Sequence, residues 1–389
     1  MQPGKAMSRP DPAALRPVAL KPLTTLRFAA ALWVVAFSYW PRLAGAPAIA
    51  AIDKGYLGVE LFFVLSGFIL SHVYLEAFGQ KRFSYGGFLW ARLARIYPLH
   101  LAILGGLAVL GGVAALKGIA VDPNLNALAA LPAQLTLTNA WGLAPVAGWN
   151  HPAWSISAEW FAYLLFPAFA SLAWALRFRP RAALIGAATL LVAAYLAYQA
   201  WTGELLTTAT FRWGALRVLP AFGYGAAVYL AWRAGLARRP LALCLGSLAL
   251  LAGLIALAAP EWSVTLAFGG LILGLAALPK ARAGWLAAPL GLYLGEVSFA
   301  VYMVSAPWEI VFSHGIAPLF GLARGPLPWP VWLLLTGGVL PAAMAAHHLI
   351  ERPARDFLRR LKGVRLSFTR RNIAQHGRDY GLFTQPRHN

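Results

Sequence analysis

Long apolar stretches alternate with short polar segments along nearly the whole chain. The apolar stretches run for about 17–23 residues, which is the length that an α-helix needs to cross the hydrocarbon layer of a membrane. The stretches lie near residues 24–40, 57–75, 97–116, 157–176, 182–201, 216–232, 241–259, 264–279, 294–312 and 330–349. The pattern therefore predicts an all-α fold, a polytopic membrane bundle of about ten transmembrane helices.

The composition agrees with this class. Hydrophobic residues make up 60% of the chain and charged residues only 12%, against about 25% charged residues in soluble domains. The net charge of +20 could indicate a nucleic-acid partner. However, if the N-terminus lies inside, 27 of the 33 lysines and arginines fall on the cytoplasmic side of the ten spans, as the positive-inside rule requires. The charge therefore predicts two cytoplasmic termini and contact with membrane lipids rather than with nucleic acid.

The ends of the chain differ from its middle. We expect a cytoplasmic tail over 1–22, a transmembrane domain over 23–360 and a basic cytoplasmic tail over 361–389. The first tail has no apolar core, so it does not resemble a signal peptide. Cys244 is the only cysteine, so we expect no disulfide within the chain and no thiol metal site. We also predict no metal among the site residues.

The first apolar stretch carries Arg27 near its start and Ser38 near its end. Eleven residues of helix make about three turns plus 20°, so the two side chains share one face and lie ~16 Å apart along the axis. A polar group at each end of one stripe predicts a lined passage.

Other ionisable residues also fall at membrane depth, where a charge is costly and by default faces a cavity or a partner. They are Glu60, Glu159, Arg217, Glu296, Glu309 and the pair His347–His348. For Glu296, Glu309 and Arg217, a side chain that reaches from a helix end to the interface is an equally good interpretation. Glu60 and Glu159 each stand beside aromatic residues, which favours a functional role.

The segment FLWARLARIYP, residues 88–98, falls in the first cytoplasmic loop of this topology. Arg92 and Arg95 are three residues apart and share a helix face, and Pro98 stands where the chain enters the bilayer. The arginines could be a positive-inside anchor or a guanidinium clamp for phosphates. Their spacing leaves both interpretations open.

The segment 117–156 is predicted to lie outside the cytoplasm and contains Trp141, Trp149 and Trp154 among Asn and Pro residues. Aromatic and amide side chains suit a surface that faces sugars. They also suit an interfacial aromatic belt, which is the safer interpretation of this segment taken alone.

Six motifs in order resemble the acyltransferase-3 family of membrane O-acyltransferases over nearly all of residues 23–358. They are LTTLRFAAALWVVAFSYW, GYLGVELFFVLSGFIL, FLWARLARIYP, HPAWSISAEWFAYLLFP, LGEVSFAVYMVSAP and HLIERP. The resemblance implies transfer of an acyl group, usually acetyl, from cytoplasmic coenzyme A to a hydroxyl of an extracytoplasmic glycan or lipid-linked saccharide. It implies an integral protein of the bacterial inner membrane, with acetyl-CoA as a donor substrate rather than a bound cofactor.

The resemblance also implies roles for particular residues. Arg27, Arg92, Arg95 and Tyr97 would bind the donor, and Trp149, Asn150 and Trp154 would lie on the acceptor side. Glu159 would orient a catalytic group or the acceptor, or pair with Arg27. We expect Glu351 to pair with loop arginines, and Ser66 and Gly67 to serve helix packing.

The chain departs from the family at two positions, because Ser38 and Ser305 stand where the family has histidines. Histidine can take a proton from the acceptor hydroxyl near neutral pH, whereas serine cannot. With Arg27 and Glu159, these serines occupy the catalytic positions. Three explanations remain open: a variant made inactive, a natural homologue with altered chemistry, or another base such as Glu159 or Glu60.

A function of another class would also place charges in the membrane. A transporter or flippase could move a lipid-linked sugar without acyl transfer. The sequence shows no inverted repeats and no paired broken helices, which disfavours this alternative.

Overall fold

A computed structural model of the chain describes residues 20–118, 127–322 and 325–361. The predicted tails, 1–22 and 361–389, lie almost wholly outside the described residues, so their placement stays a prediction. The α-helices of the described part are α1 Lys21–Tyr39, α2 Ala50–Asp53, α3 Gly58–Gly79, α4 Tyr85–Leu116, α5 Leu131–Leu135, α6 Ala153–Leu164, α7 Phe166–Ala175, α8 Pro180–Thr202, α9 Gly214–Arg233, α10 Pro240–Ala256, α11 Glu261–Ala277, α12 Pro289–Val311, α13 Trp329–Ala346 and α14 Arg352–Leu361.

The described residues contain 7 helical segments that are long and apolar enough to cross a membrane. If the bent pair α6 and α7 counts as one span, the number of candidate spans rises to 8. The apolar helices α10 and α11, with 17 residues each, are shorter than these candidates. The all-helical, multi-pass fold is therefore confirmed. The number of about ten spans and the side of the termini stay predictions.

The predicted span over 157–176 is not one continuous helix. The structure breaks it at Leu165 into α6 and α7, which meet at an angle of 55°. Pro167 stands in the first turn of α7, where a proline ring is tolerated because the backbone N–H of that position has no partner within the helix. Because of this bend, α6 and α7 run in different directions.

The predicted boundary of the third span is also corrected. The sequence pattern predicts a loop over residues 85–96, but in the structure they continue into the span as the first turns of the 32-residue helix α4. Ser84 caps this helix by accepting a hydrogen bond from the Gly87 amide at 3.2 Å, and Pro98 lies inside it. Proline is tolerated in membrane helices because neighbouring groups satisfy the freed backbone carbonyl. Arg92 and Arg95 therefore sit on a rigid helix.

Glycines bring the central helices together. A methyl group added at Gly67 of α3 would lie 2.0 Å from the Phe222 carbonyl oxygen, and one at Gly225 of α9 would lie 1.9 Å from that of Val64. One at Gly295 of α12 would lie 2.1 Å from the Thr24 carbonyl oxygen of α1. Such close approach is typical of membrane helix pairs. These contacts confirm the packing role expected of Gly67 and hold α3 against α9 and α12 against α1.

Candidate functional site

A cavity of about 120 Å³ lies between α1, α3, α4, α6 and α12. Aromatic and aliphatic side chains form most of its wall, and three arginines, two serines, one glutamate and two tyrosines supply the polar groups. It is lined by Arg27, Val59, Phe62, Phe63, Leu65, Ser66, Ile69, Leu70, Arg92, Arg95, Ile96, Ser155, Ile156, Glu159, Tyr163, Phe299 and Tyr302. An apolar cavity with a few convergent polar groups is the usual form of a small-molecule site.

The cavity is elongated along α3. The residues that α3 contributes begin at Val59 and end at Leu70, and at 1.5 Å per residue this wall is ~16 Å long. At one end, the Phe62 ring lies 6.4 Å from the ring of Tyr302. The length of this wall is about half of the ~30 Å hydrocarbon thickness of a typical membrane.

The other end of the cavity is cationic. Arg27 of α1 meets Arg92 and Arg95 of α4 there. Arg92 Nη2 lies 3.4 Å from the Tyr74 hydroxyl, and its guanidinium lies 5.8 Å from the centre of the same ring. Within the described residues, neither Arg27 nor Arg92 has a carboxylate within 4.0 Å. Arg92 and Arg95 thus lie on one face of α4, as their spacing predicts, and both line the cavity. The positive charge at this end of the cavity suits a phosphate.

Glu351 anchors the third arginine of this end. Its carboxylate is fully buried and accepts from Arg95 Nη1 at 3.2 Å and from Arg355 Nη1 at 3.0 Å. His347 Nδ1 lies 2.8 Å from its other oxygen. The expected pairing of Glu351 with an arginine of the predicted loop is confirmed. The contacts hold the Arg95 guanidinium in one orientation at the cavity.

Glu159 of α6 lies on the wall between the two ends. The Ser66 hydroxyl of α3 donates a hydrogen bond to it, so Ser66 does more than allow close packing. Tyr163 lines the cavity one helical turn further along α6. No ion pair within 4.0 Å joins Glu159 to Arg27, although both line the cavity and their charges interact. Glu159 is therefore placed to accept hydrogen bonds from a bound molecule.

The two serines at the family's histidine positions are not among the residues that line this cavity. Ser38 is exposed, and its hydroxyl donates to the Val34 carbonyl at 3.0 Å. Ser305 is buried, and its hydroxyl donates to the Tyr302 carbonyl at 2.8 Å. The cavity lining thus reaches Tyr302, one helical turn before Ser305. Of the passage predicted between Arg27 and Ser38, the cavity includes the end at Arg27 and does not reach Ser38.

Tyr97, predicted to bind the donor together with Arg27, Arg92 and Arg95, is not among the residues that line the cavity. It follows Arg95 by two residues, which places it about 200° around α4. Its hydroxyl donates to the Leu135 carbonyl at 2.9 Å, so it secures the segment between α4 and α6. Its role in donor binding stays a prediction that the geometry does not favour.

The three residues predicted for the acceptor side are buried and lie outside the cavity lining. Trp149 Nε1 donates to the Ala127 carbonyl at 2.9 Å, and Asn150 Nδ2 donates to the Met303 carbonyl at 3.2 Å. Trp154 packs edge-on against a phenylalanine of α3. These contacts fix the segment before α6 to the bundle, and an acceptor role for the three residues stays a prediction.

Several cavity residues were not identified from the sequence. They are Ser155, Tyr163 and Phe299. Tyr163 follows Glu159 by four residues on the same helix, so helical spacing could have found it once Glu159 was chosen. The face of α12 that carries Phe299 depends on how this helix packs against α1, which the sequence pattern does not fix.

The remaining intramembrane charges are mostly paired outside the cavity. Glu60 and Arg217 form a buried ion pair, in which Arg217 Nε donates to Glu60. Glu309 lies 3.5 Å from Arg42 Nε. Glu296 is exposed. The functional role predicted for Glu60 is therefore less favoured than a structural one.

Comparison with known proteins gives a concordant assignment. A family model described as "Acyltransferase domain" (Acyl_transf_3) matches residues 22–348. "Acyltransferase MdmB" of Streptomyces mycarofaciens is 32% identical over 39% of this chain and 39% of its own length. "Protein 2 in picA locus" of Rhizobium radiobacter is 34% identical over 27% of this chain and 61% of its own length.

A third relative matches over more of the chain. "Putative membrane-bound transacylase BcsY" of Komagataeibacter xylinus is 26% identical over 79% of this chain and 78% of its own length. The chain thus spans about two fifths and three fifths of the first two relatives and most of the third. No solved structure gives a significant match. Because the family model covers well over half of the sequence, the chain belongs to the acyltransferase-3 family of membrane acyltransferases.

Proposed function

We propose that this protein is an O-acyltransferase that takes an acyl group, most simply acetyl, from cytoplasmic acyl-CoA. The acceptor is a hydroxyl of an extracytoplasmic glycan or lipid-linked saccharide, and the protein resides in the inner membrane of a bacterium. The observation that carries the proposal is the elongated cavity with Arg27, Arg92 and Arg95 at one end. The names of two relatives, acyltransferase and transacylase, support the reaction class.

The shape of the cavity suits the shape of the donor. Acyl-CoA carries phosphates at one end and a thioester at the end of a long, thin arm. The guanidinium groups would bind the phosphates, and the arm would follow the α3 wall toward Tyr302. Glu159 and Ser66 lie along this route. The Glu159 carboxylate would accept a hydrogen bond from an amide N–H of the arm, and the Ser66 hydroxyl, which donates to Glu159, would accept another.

The two serines bear on how fast this protein acts. Acyl transfer to a hydroxyl needs a base, and a positioned base contributes about 10²- to 10⁴-fold to the rate. Neither Ser38 nor Ser305 can supply it, and each hydroxyl already donates to a backbone carbonyl. We therefore propose that this sequence is a weakened or inactive form of the enzyme.

Restoring the histidines tests this proposal. In proteoliposomes supplied with labelled acetyl-CoA inside and saccharide outside, Ser38→His together with Ser305→His is expected to raise acyl transfer by orders of magnitude. The readout is label recovered in saccharide. An unchanged rate in a double variant that still folds and binds acetyl-CoA would count against the weakened-enzyme proposal.

Binding separates the enzyme from a transporter. The first half of the broken pair, α6, lines the cavity, and broken helices are common in transporters. Acetyl-CoA binding that weakens about tenfold in Arg27→Gln supports the enzyme. Arg42→Gln, in the turn that follows the far end of α1, is the matched control and should bind normally. Absence of acetyl-CoA binding would favour the transporter.

A further inference from the structure

The last helix of the described chain adds to the cationic end of the cavity. A turn at 347–351 leads directly into α14, and the Trp90 indole of α4 donates to the Leu358 carbonyl at 2.9 Å. Arg352, Arg355 and Arg359 follow one another at spacings of three and four, so they form one stripe on α14. The stripe therefore lies beside the segment of α4 that carries Arg92 and Arg95.

Two of these arginines approach the arginines of α4. Arg355 shares the carboxylate of Glu351 with Arg95, and its side chain is 12% exposed. Arg359 is half-buried and lies close enough to Arg92, Arg95 and Arg355 for their charges to interact. The guanidinium groups of α4 and α14, two helices that are far apart in sequence, thus lie close together.

These groups are short of acidic partners at contact distance. The cluster holds Arg92, Arg95, Arg355 and Arg359, and Glu351 is the carboxylate that lies within 4.0 Å of Arg95 and Arg355. Glu159, Glu296 and Asp356 interact with members of the cluster only at longer range. In the part of the chain that the structure describes, neither Arg92 nor Arg359 has a carboxylate within 4.0 Å. The Nε atoms of both are buried without a hydrogen-bond partner. Converging cations with unused donors are costly unless an anion joins them.

We propose that Arg92 of α4 and Arg359 of α14, with Arg355 held beside them by Glu351, bind the phosphate groups of the nucleotide end of the donor. This inference rests on the proposed function, and it extends the donor site beyond the cavity to the last helix. The planar guanidinium fork matches the oxygen geometry of a phosphate. The thioester arm would then enter the cavity past Arg27.

The test measures binding and does not depend on acyl transfer. The full-length protein in nanodiscs is titrated with coenzyme A and with adenosine 3′,5′-bisphosphate, which lacks the thioester arm. Arg359→Gln is expected to weaken both by about tenfold or more, as the loss of a charged hydrogen bond predicts. Arg359→Lys should retain part of the affinity. Arg360→Gln, on the exposed neighbour, is the control and should change it less than about twofold.

The outcomes separate this inference from the proposed function. Normal coenzyme A binding by Arg359→Gln overturns the role of α14 and leaves the donor cavity in place. Failure of the wild-type protein to bind coenzyme A overturns both. A variant that binds both nucleotides normally but loses phosphatidylglycerol from the nanodiscs shows that the cluster binds lipid phosphate instead. That result also overturns the inference.

Discussion

The buried ion pair between Glu60 and Arg217 offers a direct test of how α3 and α9 are held together. Glu60 of α3 has no exposed surface, and the Arg217 side chain of α9 is 2% exposed. Arg217 also donates to the Ala209 carbonyl at 3.3 Å, and its guanidinium lies 4.7 Å from the centre of the Trp154 ring. Glu60→Gln removes the negative charge and keeps the shape.

The structure sets the size of the effect. Breaking a buried pair by removing one charge costs about 3–5 kcal/mol, because the other charge stays buried without a partner. At roughly 2 °C per kcal/mol, the melting temperature should fall by about 6–10 °C. Replacing both residues with apolar ones, Glu60→Leu with Arg217→Met, should recover most of this loss. About 1–2 kcal/mol should remain lost, since the contacts to Ala209 and Trp154 also disappear.

The chain carries its own probe for the measurement. Cys244 is its only cysteine and is buried in α10, so a thiol-reactive fluorophore reports unfolding of the detergent-solubilised protein on heating. Glu204→Gln, on an exposed loop, is the matched control and should melt within about 1 °C of the wild type. A Glu60→Gln protein that melts within 2 °C of the wild type, or a double variant less stable than the single one, would refute the argument.

Two further substitutions test packing and charge. Gly225→Ala places a methyl group 1.9 Å from the Val64 carbonyl oxygen and should lower the free energy of unfolding by about 1–3 kcal/mol or more. Gly253→Ala, whose methyl group meets nothing within 4 Å, is the control and should be neutral or stabilising. Thermal melting measures both. Glu351→Gln should lower the melting temperature and weaken acetyl-CoA binding, because the orientation of Arg95 is lost; normal binding by a folded variant would contradict this.

The sequence predicted the helical class and the cationic residues because both depend on local composition. Apolar stretches of span length identify helices whatever their partners. Arg92 and Arg95 share a face through helical spacing alone, so their convergence did not require the fold. The pairing of Glu351 with an arginine followed from its motif.

What the sequence left open depends on contacts between distant segments. A proline stands at both places with opposite results: Pro167 follows the break at Leu165, whereas α4 continues through Pro98. Packing of neighbouring helices decides between them. Glu60 could be assigned to a buried pair only when α9 was placed beside α3. The extent of the cavity relative to Ser38 likewise depends on how α12 lies against α1.

A structure determined by electron cryo-microscopy with acetyl-CoA bound would show whether the donor occupies the cavity. Density is expected for the phosphates within hydrogen-bond distance of Arg92 and for the thioester arm along the α3 wall between Ser66 and Tyr302. Density for the nucleotide at any other surface, or an acyl chain of a lipid filling the cavity while acetyl-CoA is bound elsewhere, would contradict this expectation.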